Sequence, residues 1–378
     1  MDTWIEISQP NLEHNAHLVH NLSGKPIAAV IKSNAYGHGK LQVAGILQRL
    51  PFIEAFCTFG LKESLELKEQ THTPKRIIAL GYGDFELIKD ALEHSIECVV
   101  HDMHSLNVII NCCKQYNLTA RIHVKFDTGL GRLGFFPHEL EQVMNIIVQH
   151  PYLIIAGCVT HMSHTLDEDL GLSSKQLVLF DELKNRMTQL CAHHHIACPA
   201  FCPIASGSVH HAQERSDSMI RTGTLLYGFT RTPHLKTILE QQQCFFKPVM
   251  QLKATIMSIK EVPAGTPIGY GATEYTSRPT RIALVPAGHR ENYPAALSTH
   301  KTYATVGIKR APLIGSISMN ISAFDVTDIP EAQIGSTITL FGSENHDFTI
   351  AQATSFLHCK PIELTTAMPE SIKRIVCP

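Results

Sequence analysis

The sequence predicts an α/β chain of two domains: an N-terminal (β/α)8 TIM barrel followed by a mainly β C-terminal domain. Three observations predict it. From residue 27 to about 228, short apolar runs alternate with helix-length amphipathic stretches, the pattern of strand–helix units. Eight such runs fit in that span, the number that closes a barrel. From about residue 245 onward the helical stripes give way to Val-, Ile- and Thr-rich runs punctuated by Pro, Gly and Asn.

The expected barrel strands are IAAVIK (27–32), AFCTF (55–59), RIIAL (76–80), IECVV (96–100), ARIHVKF (120–126), LIIAGCVT (153–160), PAFCPIA (199–205) and SMIR (218–221). Helices fall between them. After Pro137, a favourable first-turn residue, Leu140, Val143, Met144 and Ile147 form one apolar stripe. After Asp84, the expected N-cap, Leu87, Ile88, Ala91 and Leu92 do the same. The second domain reads as strands in QLKATIMSIKEV, RIALVPAG, YATVGI, RAPLIGSISM, SAFDVTDI and STITLFG. Domain limits are set at 1–237 and 238–378, with the first ~10 residues open to packing with the second domain. A doubly wound open sheet is the alternative to the barrel.

Composition narrows the function. The chain has 378 residues, 44% of them apolar and 17% charged, with a formal net charge of −2. That is an ordinary globular balance, with no electrostatic footprint for nucleic acid or an anionic membrane. No apolar run approaches the ~20 residues of a membrane helix, and the start lacks the basic-then-apolar order of a secretory signal. The 11 cysteines are scattered without CxxC pairs, which reads as reduced thiols in a cytoplasmic protein. The 23 histidines have no physical account at this level.

In a barrel of this kind chemistry collects where strands end. The first strand ends in Lys32, followed by SNAYGHG. The fifth runs into KFDTGLGRLGF, bringing Lys125, Asp127 and Arg132; the sixth ends at His161. The seventh leads to Ser206-Gly207 and the eighth to Arg221 and Thr222-Gly223-Thr224. A lone lysine at a strand end ordinarily lays its stem on apolar surface and its head in water. Desolvated, it becomes a Schiff-base former or a general base. Small glycine-bearing loops after the last two strands offer backbone N–H groups to a phosphate. A lysine on one side and a phosphate cradle on the other is what pyridoxal 5′-phosphate requires.

Two other patterns carry less. Gly129, Gly131 and Gly134 match G-x-G-x-x-G, yet no acidic residue follows at the ribose-binding distance and Arg132 sits inside the turn. His193-His194-His195 sits at a helix end, where adjacent side chains diverge. The run His161, His164, Asp167, Glu168 and Asp169 shares His161 with the cofactor reading, so no metal is expected.

At AVIKSNAYGHG, VKFDTGLGRLGF, THMSHT, IRTGTLLYG, PIGYGATEY and LIGSISMN, met in that order over nearly the whole chain, the sequence resembles the alanine racemase family. The resemblance implies an isomerase that interconverts L- and D-alanine for peptidoglycan and acts as a homodimer. It implies that Lys32 holds the cofactor and serves as base on one face of the substrate Cα. Tyr270 is then the tyrosine that works on the opposite face, supplied by the partner subunit. Arg221 matches the arginine facing the pyridine nitrogen, and His161 a histidine behind it. Arg132 matches the arginine near the cofactor phenolic oxygen and the substrate carboxylate. Lys125 matches a lysine often carbamylated in the family; a plain ion pair with Asp127 is the simpler alternative. Tyr36, Ser206, Gly223 and Thr224 match phosphate contacts. Met319 matches a residue, also from the partner subunit, whose backbone N–H holds the substrate carboxylate.

Four departures surround the pocket. Ile362 stands where the family has tyrosine, Ala205 where it has asparagine, and Asn320 where Asp is common. Gly288-His289-Arg290-Glu291-Asn292-Tyr293 replaces the family's GYADGY. These leave room for serine or another small amino acid as substrate. A basic amino-acid decarboxylase would place a carboxylate, not Arg221, opposite the pyridine nitrogen. A non-catalytic carrier of the cofactor would lack residues 245–378.

Overall fold

The computed structural model describes residues 3–81, 83–163, 171–213, 215–230, 232–299 and 302–378. The chain divides into two compact units, one of Glu13–Ser33 with Val43–Phe246, the other of the described residues up to Leu12, Asn34–Gln42 and Lys247–Pro378. The first unit runs to 246, past the helix Pro233–Gln241 that a limit at 237 would divide. Residues 34–42, embedded in the barrel sequence, group with the second unit.

After β1 (Thr3–Ser8), which belongs to the second unit, eight strands build the barrel. They are β2 (Ile27–Val30), β3 (Ile53–Thr58), β4 (Arg76–Ala79), β5 (Glu97–Val100), β6 (Ala120–Lys125), β7 (Leu153–Val159), β8 (Ala200–Cys202) and β9 (Ile220–Thr222). Each expected run overlaps one of them, with β3 starting two residues earlier and β9 ending one residue later than expected. All pair in parallel in the order β8-β7-β6-β5-β4-β3-β2-β9. The seam between β8 and β9 is bridged by pairing of Ala205 with Arg221, by Ser218 N–H donating to Phe201 O at 3.0 Å and by Arg221 N–H donating to Ile204 O at 3.1 Å. All four residues of β2 and of β5 are buried. Parallel strands covered on both faces lose their polar alternation, which is why they read as continuous apolar runs.

The helix Leu140–Val148 buries Leu140, Val143, Met144 and Ile147, the expected stripe. Pro137 opens a separate 3-10 turn, Pro137–Glu139, ahead of it. Asp84 precedes another 3-10 turn, Phe85–Leu87, and makes no side-chain cap. The helix it was expected to start is Ile88–Glu93, which leaves Leu87 outside the buried stripe. The working aspartate cap is Asp102, which accepts Ser105 N–H at 2.7 Å.

The second unit holds a sheet of nine strands and a two-stranded ribbon that pairs Pro267–Ile268 with Glu274–Tyr275. In spatial order the nine strands are Ser258–Val262, Thr280–Val285, Ser322–Asp325, Lys309–Ile314, Tyr303–Val306, Thr337–Phe341, Met250–Thr255, β1 and Lys373–Cys377. β1 runs antiparallel to Met250–Thr255 and parallel to Lys373–Cys377. The short helices Ile350–Phe356 and Pro361–Thr366 complete it. Val262, Ile268 and Ile282 form a core cluster there, with Leu284, Ile314 and Ala323 against it. All 11 cysteines are free thiols, and among the described residues no helix is long and apolar enough to cross a membrane.

Candidate active site

The site begins where β2 ends. Behind the strand, the buried Tyr227 hydroxyl donates to Val30 O at 3.0 Å and fixes the backbone that carries Lys32. The helical turn Lys32–Tyr36 that follows is left-handed: Ser33, Asn34, Ala35 and Tyr36 all have φ between 52° and 54°. Left-handed backbone costs a non-glycine residue roughly 1–2 kcal/mol, so four in succession mark stored strain of the sort found at functional sites. Local bonds offset it. Gly39 N–H donates to Asn34 O at 2.9 Å and Lys40 N–H to the Asn34 side chain at 2.8 Å.

Four cations gather at the C-terminal mouth of the barrel: Lys32, Lys125 at the end of β6, Arg132 and Arg221 in β9. Burial, and then the Arg132 guanidinium, hold the Lys32 ammonium below the usual lysine range. Its Nζ lies 5.9 Å from the centre of the Phe59 ring. Burial, then Arg221 and Arg132, push Lys125 down to about 8. Arg221 is buried, and its Nη2 donates to Cys202 O at 3.1 Å and to Thr160 O, just before His161. Both acceptors are neutral carbonyls at the ends of neighbouring strands, and no carboxylate among the described residues pairs with it. The Arg221 Nε is buried and has no hydrogen-bond partner.

The nearby carboxylates are turned to backbone. Asp127 accepts N–H bonds from Gly129 at 2.9 Å, Leu130 at 2.7 Å and Arg132 at 2.7 Å. Asp127, its oxygens held by this loop, forms no contact ion pair with Lys125; its charge still favours the Lys125 ammonium, and burial and the two guanidiniums outweigh it. The same loop accounts for the dinucleotide-like glycines. A Cβ on Gly134, at φ 138°, would sit 2.5 Å from Asp127 N. The pattern folds a turn around an aspartate. Glu63 likewise accepts Phe59 N–H at 2.9 Å.

Beside the cations lie small polar groups. Ser206 Oγ is 2.9 Å from Thr222 Oγ1 and accepts Gly223 N–H at 2.9 Å. The Thr224 hydroxyl is buried with no partner. An orphaned guanidinium N–H, an orphaned hydroxyl and an excess of positive charge suit a phosphorylated aromatic cofactor with a ring nitrogen to accept from Arg221. The residues present therefore fit pyridoxal 5′-phosphate: Lys32 to hold it, Arg221 against the ring, and Ser206, Gly223 and Thr224 for the phosphate.

The remaining expected residues lie in the second unit. Tyr36 is half-buried in the 34–42 segment. Tyr270 opens the 3-10 turn Tyr270–Ala272 and its side chain is 78% exposed. Its N–H donates to Ser316 Oγ at 3.1 Å. Met319 is 63% exposed, and its carbonyl accepts Arg290 N–H at 3.0 Å. Gly288 lets the two segments approach, since a Cβ there would meet Ser318 O at 2.3 Å. His289 and Arg290 are exposed; Ile362 is half-buried in the helix Pro361–Thr366.

Residues the strand-end reading missed are Phe59, read as strand filler, and Gln176. The last accepts Ser163 N–H at 2.8 Å and donates to the Thr128 hydroxyl at 3.4 Å. Phe59 closes the second apolar run and could have been found by the rule that singled out Lys32. Gln176 carries no such signal. Of the acidic run considered for a metal, His164, Asp167, Glu168 and Asp169 lie outside the described residues.

Comparison with known proteins follows the same division. Residues 7–231 match the family described as alanine racemase, N-terminal domain, and residues 249–376 the family described as alanine racemase, C-terminal domain. An alanine racemase of Syntrophobacter fumaroxidans is 31% identical over 355 residues, 93% of this chain and 90% of that one. A catabolic alanine racemase of Pseudomonas putida is 28% identical, covering 88% of each chain. Among solved structures, alanine racemase from D-cycloserine-producing Streptomyces lavendulae superposes with a TM-score of 0.87 at 24% identity, over 100% of this chain and 97% of that one. At that identity the superposition establishes the fold.

Proposed function

The chain belongs to the alanine racemase family of isomerases, and from that premise we propose that it interconverts L- and D-alanine with pyridoxal 5′-phosphate at the mouth of the barrel. The observation that carries this is the cluster of Lys32, Lys125, Arg132 and Arg221, whose neighbouring carboxylate Asp127 is bonded to the amides of its own loop. When bound, the cofactor supplies the electron withdrawal that acidifies the Cα–H bond.

Inversion at Cα needs proton carriers on opposite faces. Lys32 Nζ takes or returns the Cα proton on one side. The Tyr270 hydroxyl of a second copy does so on the other, and its exposure in the single chain supports that assignment. Each positioned transfer contributes roughly 10²–10⁴-fold. Arg221 keeps its proton at any accessible pH, so it donates from Nε without protonating the ring. That restrains decarboxylation and transamination, and speaks against the decarboxylase alternative. His161 backs Arg221. Tyr36, Ser206, Gly223 and Thr224 hold the phosphate.

Arg132 and the Met319 N–H of the partner copy orient the substrate carboxylate. With its ammonium near pKa about 8, Lys125 has a neutral fraction at physiological pH. That amine adds to CO₂ and loses a proton, giving a carbamate whose negative charge holds Arg132. The enzyme works as a cytoplasmic homodimer that supplies D-alanine for peptidoglycan.

Purified protein with the cofactor should absorb in the violet, lose that band in Lys32→Ala and interconvert D- and L-alanine. A colourless protein that leaves both enantiomers untouched would overturn the assignment. A second reading is favoured by Ile362, which lacks the hydroxyl and ring volume of a tyrosine: serine is also turned over. Pockets discriminate by only ~1–3 kcal/mol per methylene, so the alanine-to-serine ratio of kcat/KM should stay under about a thousandfold. A larger ratio removes this reading and leaves the racemase assignment intact.

A further inference from the structure

The barrel has a second cationic cavity, at the N-terminal ends of its strands and away from the residues assigned above. It has a volume of about 190 Å³ and is lined by Lys68, Lys75, Arg76, His94, Glu97 and Arg121, among others. Arg76 and Glu97 begin β4 and β5, and Arg121 is the second residue of β6.

Glu97 is the one carboxylate of the lining among the described residues, against four permanent cations. Its Oε2 is engaged by His123 Nε2 at 2.7 Å. Its Oε1 accepts Arg121 Nε–H at 2.9 Å and lies 3.9 Å from Arg76 Nη1. The helices Leu61–Thr71 and Ile88–Glu93 end at this rim, and their C-terminal dipoles add about −0.5 charge each. Roughly two positive charges therefore remain over the cavity. Donors remain as well. Lys75 Nζ has one bond, to Leu50 O at 3.2 Å, and Lys68 Nζ one, to Thr73 O at 3.3 Å. The terminal amino groups of Arg121 make no hydrogen bond to protein among the described residues.

We propose that this cavity is a binding site for a diphosphate group, held by Lys68, Lys75, Arg76 and Arg121. Its volume equals about six waters at ~30 Å³ each, small for a drug-sized ligand and suited to a compact anion. Arginine forks and two lysine ammoniums supply charge-assisted bonds to phosphoryl oxygens. Inorganic pyrophosphate and the tail of a nucleoside diphosphate share that chemistry.

The test is calorimetric titration of the cofactor-saturated enzyme, in which the phosphate cradle at the mouth is filled. Inorganic pyrophosphate and ADP are titrated separately at an ionic strength fixed with NaCl. One saturable site per chain is expected. It should weaken at least tenfold in Lys75→Gln and in Lys75→Gln/Arg121→Gln, with racemisation unchanged within twofold. Equal affinity for the two probes supports a site for the diphosphate alone, and tighter ADP binding supports a site that also contacts the nucleoside. Heats no larger than those of NaCl in both arms, or undiminished binding in Lys75→Gln, would overturn the proposal.

Discussion

At the C-terminal mouth of the barrel, Lys32, Lys125, Arg132 and Arg221 crowd together while Asp127 and Glu63 are engaged by backbone amides. At the N-terminal rim, Arg76 and Arg121 flank Glu97, which also grips His123. Both ends are cationic. At the rim a buried carboxylate answers part of the charge, and the arrangement holds strands β4, β5 and β6 together. At the mouth, among the described residues, the guanidinium of Arg221 donates to the Thr160 and Cys202 carbonyls and pairs with no carboxylate, which leaves a place for an anionic ligand. How fully the buried charges are answered by protein groups, not the number of cations, separates the two ends.

The two ends should therefore come apart under mutation. The largest effect is expected from Arg221→Met at the mouth. Racemisation should fall at least a thousandfold, a loss comparable to that of a single positioned proton transfer, roughly 10²–10⁴-fold. Stability should fall by no more than about 1–3 kcal/mol, because the carbonyls of Thr160 and Cys202 lose a donor while the desolvation of a charge is relieved. Chemical denaturation beside an activity assay reads both. Unfolded protein would break the comparison.

Glu97→Gln at the rim should do the reverse. Stability should drop by about 1–3 kcal/mol through the lost charge-assisted bonds, with kcat within a few-fold of wild type. A thousandfold loss of activity in this variant would place Glu97 in the chemistry and erase the distinction.

Titration offers a finer separation. Burial tends to raise the Glu97 carboxyl, but bonding to His123 and Arg121 and the nearby Arg76 charge outweigh it and hold the group at about 2. A depressed carboxyl stabilises the fold above its ordinary range, and the benefit is lost as pH falls from about 4.5 toward 2. Wild type should lose more stability across that window than Glu97→Gln. Lys125 has the opposite sense. With its ammonium pushed down to about 8, its charged form burdens the cofactor-free fold at lower pH, and relief comes as pH rises from 8 toward 10.5. Lys125→Met should flatten that rise in stability. Parallel curves for wild type and variant would remove either assignment.

What the sequence made legible follows the same physics. All eight barrel strands could be read because parallel strands buried on both faces are apolar throughout. Lys32 and Arg221 stood out as charges ending such runs. Glu97 and His123 interrupted the same runs and carried no signal, since a charge within a strand says nothing about which partner neutralises it across the barrel. His123 even needs glycine beside it: a Cβ at Gly157 would lie 2.2 Å from its Nδ1. Part of the histidine excess is packing of this kind, with His17 and His20 set against Phe52. The glycines at 129–134 were legible as a turn; that it closes on Asp127 depends on three-dimensional approach. Nor does SNAYGHG betray its left-handed turn, because Ser, Ala and Tyr disfavour that conformation in isolation.

The proposed two-base chemistry requires that Lys32 of one chain and Tyr270 of another serve one substrate. Co-expression of Lys32→Ala with Tyr270→Phe tests it most directly. Each variant alone should be nearly inactive. Random pairing makes half the dimers hybrids with one intact site of two, so the mixture should recover about a quarter of wild-type activity. A mixture no more active than either variant alone would contradict the shared site.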